Sequence, residues 1–315
     1  MDAKRIVFLG TGDIAIPSLE WLIESGNQPV ALVTQPDRPA GRRREMKPPK
    51  IKSLAMAHGI KVLQPERVRD AAALESLRLL EPDLIVVMAY GQILPVALIE
   101  LPKLGCVNLH ASLLPRYRGA ACIQAAIDAG DPVTGVTLMH VVKALDAGDV
   151  IGMKETPIEA SDTAGILHDR LAFVAVEVLK DGLPGLLSGR APRQPQSELG
   201  QMSHVSKLDR DDGKIDWSWS ARRLERRLRA FDPWPGCWAT FGGDGAPKRL
   251  KIFPFVTVTE CKGEPGELLE RDGELCVVCG EAGLILADVQ PDGSRRMAAG
   301  DWWRGLRGRG LTRLD

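Results

Sequence analysis

The residues with the most chemical promise lie together in the middle of the chain. Asn108 and His110 end a short apolar run (CVNL, 106–109), and SLLPRYRG (112–119) follows almost at once. The run reads as a strand, and the two side chains, two residues apart on extended backbone, share one face. An amide donor beside an imidazole can stabilise a developing oxyanion and move a proton. Taken alone, the pair reads better as an Asn that caps the strand end and a His that satisfies a buried carbonyl. A third group, Asp146 in LDAGD (145–149), follows another strand-like stretch at 135–142. It can orient or charge a histidine, or make an ordinary Asp-Gly turn. Asp149 leads into the next strand and takes a structural role.

These groups need strands that end at a common edge. RIVFL (5–9) is followed by Gly10-Thr11-Gly12, a helix over 18–24 and a strand over 30–34. This β-turn-α-β opening predicts a Rossmann-like parallel or mixed sheet. LIVVM (84–88) reads as a buried strand, and 71–80 and 120–129 as helices. A long amphipathic helix is expected over 161–180 with Ser161 as its N-cap. In such sheets ligands bind beyond the carboxyl ends of the strands, which is where Asn108, His110 and Asp146 fall.

From Gly182 to His204 the rhythm breaks into Pro, Gly, Ser and Gln, the composition of a linker. Beyond it a helix over 221–231 precedes strands near 238–241, 250–253, 275–279 and 283–289. Short strands between Gly-, Pro- and Asp-rich turns predict a small, OB-like β-barrel. All tryptophans except Trp21 lie from Trp217 onward, a shift that also marks a second unit. The expected division is residues 1–189, a linker at 190–208, and 209–315.

With 41 basic and 41 acidic residues the formal charge is zero, so bulk charge gives no support to a protein that merely coats nucleic acid. The first residues lead straight into a strand, and no apolar run approaches a membrane helix, so a cytoplasmic protein without membrane attachment is expected. The six scattered cysteines do not resemble a secreted disulfide framework. Cys276-x-x-Cys279 lacks a second pair or a nearby histidine, and His58, His140, His168 and His204 have no partners at ligand spacing. No metal is therefore called for. Gly10-x-Gly12 hints at a dinucleotide site, but the strand that should end in a ribose-binding acid ends Thr34-Gln35-Pro36. A tight turn is the better reading, which weakens an NAD(P)-dependent oxidoreductase.

Two basic features remain. Arg42, Arg43 and Arg44, with Lys47, Lys50 and Lys52, fall in or beside a Pro- and Gly-rich loop at 35–49. Such a loop can grip phosphates or be a solvated insert. Arg222, Arg226 and Arg229 share one helical face, which is either a solvated side or a nucleic-acid contact.

In its central motifs the sequence resembles the folate-dependent formyltransferase family: Asn108-x-His110, Ser112-Leu113-Leu114-Pro115-x-Tyr117-Arg118-Gly119, and Asp146-x-Gly148-Asp149. The stretches GTGDIAIPSL, TQPDRPAGR, AYGQILP, IDWS and FDPWPG extend the likeness from Ile6 to about Gly236, and more faintly to the end. Two positions depart from the family's usual pattern, Gly12 in the opening turn and Cys122 after RGAA. Neither carries the chemistry.

The resemblance implies an N-terminal formyltransferase domain with Asn108, His110 and Asp146 as catalytic residues. It implies 10-formyltetrahydrofolate as co-substrate, lined by Ser112, Leu113, Leu114 and Pro115, with Tyr90, Gly91 and Ile93 as further pterin neighbours. The acceptor it implies is initiator methionyl-tRNA, gripped by Arg42, Arg43 and Lys47 and docked on the C-terminal barrel. The protein is expected to act as a monomer in translation initiation. Two alternatives stand beside this reading. One is transfer to a small amine such as an amino-sugar nucleotide, against which the basic insert and the β-domain argue. The other is a non-catalytic RNA-binding module.

Overall fold

The computed structural model describes residues 4–40, 45–242, 247–306 and 311–315. In chain order the elements begin β1 (Ile6–Gly10), α1 (Ile16–Glu24), β2 (Ala31–Val33), β3 (Arg38–Ala40), β4 (Glu45–Lys47), α2 (Lys50–Ala57), β5 (Lys61–Leu63), α3 (Ala71–Arg78), β6 (Leu84–Met88), α4 (Val96–Ile99), β7 (Cys106–His110) and β8 (Arg118–Gly119). They continue α5 (Cys122–Ala129), β9 (Val133–His140), β10 (Val150–Pro157), α6 (Ala164–Leu187), β11 (His204–Val205), α7 (Ala221–Ala230), β12 (Cys237–Phe241), β13 (Lys248–Ile252), β14 (Thr257–Thr259), β15 (Leu268–Arg271), β16 (Glu274–Val278), β17 (Gly283–Ile285), β18 (Asp288–Pro291), β19 (Met297–Ala298) and α8 (Ala299–Leu306). The chain divides into two compact units, one of residues 1–122, 133–157 and 168–205, the other of 123–132, 158–167 and 206–315.

The first unit is built on a seven-stranded sheet in the order β10-β9-β7-β6-β1-β2-β5. The five strands from β7 to β5 are parallel, and β9 and β10 run antiparallel at one edge. This is the mixed Rossmann-like sheet expected from the sequence. Strands β1 and β6 are apolar along their whole length because both faces of the sheet are covered. One side packs Val7, Leu9, Val33, Ile85 and Val87 against Leu77, Leu80 and Leu98.

Helix α6 differs from its expected span. It is preceded by Thr163, whose hydroxyl accepts the Ile166 N–H, and not by Ser161. It also runs through Gly182 and Pro184 to Leu187, where the sequence suggested a break. Leu171, Ala175, Leu179, Leu183 and Leu186 are all buried, so the apolar stripe continues past the glycine. A Cβ on Gly182 would press into Leu138 of β9, so the glycine serves close helix–sheet packing. Pro184 sits on the exposed side of the last turn. The stretch that follows is tied down: Gln194 and Val150 exchange backbone hydrogen bonds of 2.8 and 3.0 Å, and β11 pairs with β8.

The second unit holds two four-stranded antiparallel sheets, β12-β13-β18-β19 and β14-β17-β16-β15, which form the small antiparallel barrel. The single strand expected over 283–289 is two strands, β17 and β18, in different sheets. Helix α8 was not foreseen; its Trp302 and Trp303 are buried, and Trp302 meets Phe241 edge-on at 5.3 Å. Helix α7 is capped by the Ser220 hydroxyl, which accepts the Arg223 N–H. Its arginines do not form one free face. Arg229 is buried, paired with Glu225 and bonded to the Asp162 carbonyl, and Arg226 packs on Gly130. Of the three arginines expected to share a face, Arg222 alone is exposed. Contacts from outside the helix, to the Asp162 carbonyl and Gly130, engage two of the three.

Candidate active site

The site grows from the carboxyl end of β7. Val107 and Leu109 face the core, which leaves Asn108 partly exposed, and His110 is buried to 6% exposure. In register, Asn108 lies opposite Met139 and His110 opposite Thr137 of β9. Among the described residues, the Asn108 amide makes no side-chain hydrogen bond, so its donor is uncommitted.

His110 Nε2 lies 2.9 Å from the carbonyl oxygen of Tyr117. A carbonyl can only accept, so the neutral ring carries its proton on Nε2 and presents a lone pair at Nδ1. That Nδ1 faces Asp146 Oδ2 at 3.7 Å. At this distance the neutral ring and the carboxylate are not hydrogen-bonded, but a proton arriving at Nδ1 turns the contact into an ion pair. Both side chains are largely shielded, with exposures of 7% and 11%, so that ion pair would be weakly screened.

Asp146 is held in place by its surroundings. Its φ is +48°, in the left-handed region that Asp tolerates better than most residues. Its Oδ2 accepts the Gly119 N–H at 2.9 Å. Gly119 has φ +110°, and a Cβ there would collide with the Val205 carbonyl, so only glycine can present this N–H. Gly148 packs its Cα against the His140 carbonyl, again with no room for a Cβ. Gln196, buried to 4% exposure, donates from Nε2 to the carbonyls of Asp146 (2.9 Å) and Gly148 (2.8 Å) and accepts from Arg118 at Oε1.

The segment 112–115 is a braced turn. The Ser112 hydroxyl, fully buried, donates to the Arg116 carbonyl at 2.7 Å. Thr137 Oγ1 donates to the Ser112 carbonyl and accepts the Leu114 N–H. Leu114 and Pro115 are buried, and Leu113 is partly exposed. The polar side chain of this run is therefore committed internally, and Leu113 is the member that offers surface. Tyr117, with φ +59°, has its N–H held by the Ser203 hydroxyl.

Other expected residues lie elsewhere. Tyr90 belongs to the apolar core, its buried hydroxyl without a partner among the described residues and pushed up to about 12 by burial. Ile93 is exposed. The opening glycine turn is consumed locally: the N–H groups of Thr11 and Gly12 both point to the Ala89 carbonyl, at 3.2 and 3.3 Å. They are not free to cradle a pyrophosphate, which removes the main support for a dinucleotide site. Arg42 and Arg43 lie outside the described residues. Lys47 is exposed on β4, which pairs with β3, while Lys50 and Lys52 are ion-paired with Asp13 and Asp37. Among the described residues no cluster of His, Cys, Asp or Glu is arranged to hold a metal ion, and no helix is long and apolar enough to cross a membrane.

Sequence reasoning missed Gln196, Thr137 and Ser203. Each is a common polar residue with no motif around it, and the signal is the fold itself.

Residues 4–183 match the formyl transferase family and residues 207–307 match the formyl transferase C-terminal domain. The chain belongs to the formyltransferase family. This formyltransferase is similar to the methionyl-tRNA formyltransferase of Akkermansia muciniphila, 49% identical over 93% of this chain and 94% of the relative. It is 45% identical to the methionyl-tRNA formyltransferase of Methylococcus capsulatus, over 95% of this chain and 96% of the relative. Among solved structures, HypX from Aquifex aeolicus in complex with tetrahydrofolic acid aligns with a TM-score of 0.65 at 20% identity, over 98% of this chain and 48% of HypX. The chain thus spans about half of HypX, and at that identity the likeness is one of fold.

Proposed function

We propose that this formyltransferase moves the formyl group of 10-formyltetrahydrofolate to the amine of methionine on initiator methionyl-tRNA, for translation initiation. The observation that carries the acceptor is near-full-length identity, across both units, with proteins named methionyl-tRNA formyltransferase. The folate carrier follows from membership of the formyl transferase family, and the fold is shared with a protein solved with tetrahydrofolic acid.

The chemistry is distributed over three side chains. The methionine amine attacks the formyl carbon, a C–N bond forms and the formyl oxygen gains negative charge. Asn108 donates its free amide N–H to that oxygen. The amine proton passes to His110 Nδ1, where Asp146 stabilises the imidazolium. His110 returns a proton to the folate nitrogen as the old C–N bond breaks, so no net proton stays on the enzyme. The braced turn at 112–115, with Leu113 at its surface, lies beside this centre and would form part of the folate wall. Arg42, Arg43 and Lys47 would meet the phosphates of the acceptor arm, and residues 209–315 would serve as a docking platform beyond a linker at 190–208.

The test is direct. The purified protein, given 10-formyltetrahydrofolate, is assayed with methionyl-tRNA, deacylated tRNA and an amino-sugar nucleotide. Formylation of methionyl-tRNA alone is expected. Formylation of the amino-sugar nucleotide at a comparable rate would overturn the assignment of the acceptor.

A further inference from the structure

We propose that Gln196 is the positioning residue for the catalytic carboxylate: it fixes the backbone of Asp146 and couples it to Arg118. The inference rests on the reading of Asp146 as the partner of His110. It goes beyond that reading by assigning a role to a side chain in a stretch with no recognisable motif.

Asp146 has a left-handed φ of +48° and, among the described residues, one side-chain hydrogen bond, accepted by Oδ2 from the Gly119 N–H. That anchor does not determine where the Asp146 main chain sits. Gln196 does. Its Nε2 has two hydrogens, and both are used, on the carbonyls of Asp146 and Gly148. Two bonds from one planar amide fix both the position and the orientation of the 146–148 turn. The opposite end of the amide is equally committed, since Oε1 accepts from Arg118 Nε at 3.0 Å and from a terminal guanidinium nitrogen at 2.6 Å.

Arg118 lies in β8, directly before Gly119. One side chain therefore ties together the turn that carries the carboxylate and the strand that carries its N–H anchor. The Gln196 side chain is buried, so water does not compete for these four bonds. The amide is the one neutral group that fits. Two backbone carbonyls require a donor, and a guanidinium requires an acceptor, in the same side chain. A glutamate of the same shape keeps the Arg118 contact but sets an oxygen against the two carbonyls.

The proton relay depends on the 3.7 Å approach of His110 and Asp146, and displacements of about 1 Å can cost about 10²-fold in rate. Loss of the Gln196 donors should therefore act on turnover and leave the binding of both substrates nearly unchanged.

The experiment is a double-mutant cycle on the full chain, with Gln196→Glu, Asp146→Asn and the pair, reading kcat, both KM values and the pH profile of kcat. Gln196→Ala is made in parallel and checked for folding by its melting temperature. For Gln196→Glu the expected result is a fall in kcat of about 10²-fold with both KM values within about twofold of the parent. In the Asp146→Asn background the same substitution should cost less than about threefold, because residues acting through one another are not additive. Lowering the pH, which protonates the introduced carboxylate and restores a donor, should recover part of the deficit of Gln196→Glu. An additive effect, or a loss expressed in KM, would overturn the proposal while leaving the reading of the site intact. Full activity of Asp146→Asn would instead overturn that reading.

Discussion

His110 Nδ1 and Asp146 Oδ2 face each other at 3.7 Å, while the other ring nitrogen is spent on the Tyr117 carbonyl. With Nε2 donating to that carbonyl, Nδ1 is the ring nitrogen turned toward the Asp146 carboxylate. Asp146→Asn keeps the shape and can keep the Gly119 N–H bond through its amide oxygen. It loses the charge that would hold an imidazolium. A drop in kcat of about 10²-fold or more is expected. Equal activity across pH would make Asp146 a turn residue only.

Asn108→Ala and His110→Ala separate the two halves of the proposed chemistry. Each should lower kcat by about 10²–10³-fold with little change in folate affinity, the usual cost of an oxyanion donor or a proton carrier. Single-turnover rates and folate binding measured on the same preparations decide it. Near-normal turnover in either variant would remove that residue from the mechanism.

Gly148→Ala tests the packing under the carboxylate. A Cβ there collides with the His140 carbonyl, which belongs to the rigid β9 and cannot yield as a flexible side chain would. The 146–149 turn must shift instead. Overpacking of this kind costs about 1–3 kcal/mol in stability, and kcat should fall with it. A variant with parental kcat would mean that the turn adapts without moving Asp146.

Much of the site was legible in the sequence because its parts lie in short motifs at strand ends. Asn108 and His110 are set two apart on one strand, and the alternation of β7 puts both on one face whatever the rest of the fold does. Asp146 lies in the loop that follows β9. The supports were not legible, for a physical reason. Gln196 meets Asp146 across 50 residues of sequence, and its four bonds arise only when the 190–205 stretch packs into place within the first unit. The composition of that stretch, rich in Pro, Ser and Gln, carries no trace of those contacts. The same limit explains α6, where Gly182 reads as a break in the sequence and serves as a contact with Leu138 in the fold. It also explains α7, where Arg229 and Arg227 are engaged by Asp162 and Asp128 from outside the helix, beside the i,i+4 pair of Arg229 with Glu225.

His140 gives a pH dependence of stability that is separate from catalysis. It is buried at the end of β9, with Nε2 lacking a partner among the described residues. Burial first, and Arg193 second, hold its imidazole below the ordinary 6.5, against the opposing pull of the Pro192 backbone and Asp149. The unfolded chain therefore binds a proton as the pH drops through about 6.5, before the folded protein does. Stability from this group is full above that value and is lost as the pH falls toward the depressed folded pKa. The melting temperature should decline more steeply below pH 6.5 in the parent than in His140→Gln. Parallel curves would show that His140 titrates alike in both states.

The basic insert offers the sharpest separation between tRNA and folate. Arg42 and Arg43 lie outside the described residues, but Lys47 is exposed on β4, and Lys50 and Lys52 are already paired with Asp13 and Asp37. Among the described lysines of the insert, Lys47 is thus the one without an ion pair. Neutralising Arg42, Arg43 and Lys47 together should weaken methionyl-tRNA binding and flatten its salt dependence, since each lost phosphate contact lowers the slope of log affinity against log salt by about one. Folate affinity should stay as it was, because Ser112–Pro115 and the His110–Asp146 pair are untouched. Binding titrations at several salt concentrations read the slope directly. Tight binding with an unchanged slope would mean that the insert is a solvated loop, and the phosphate contacts would then have to be sought on residues 209–315.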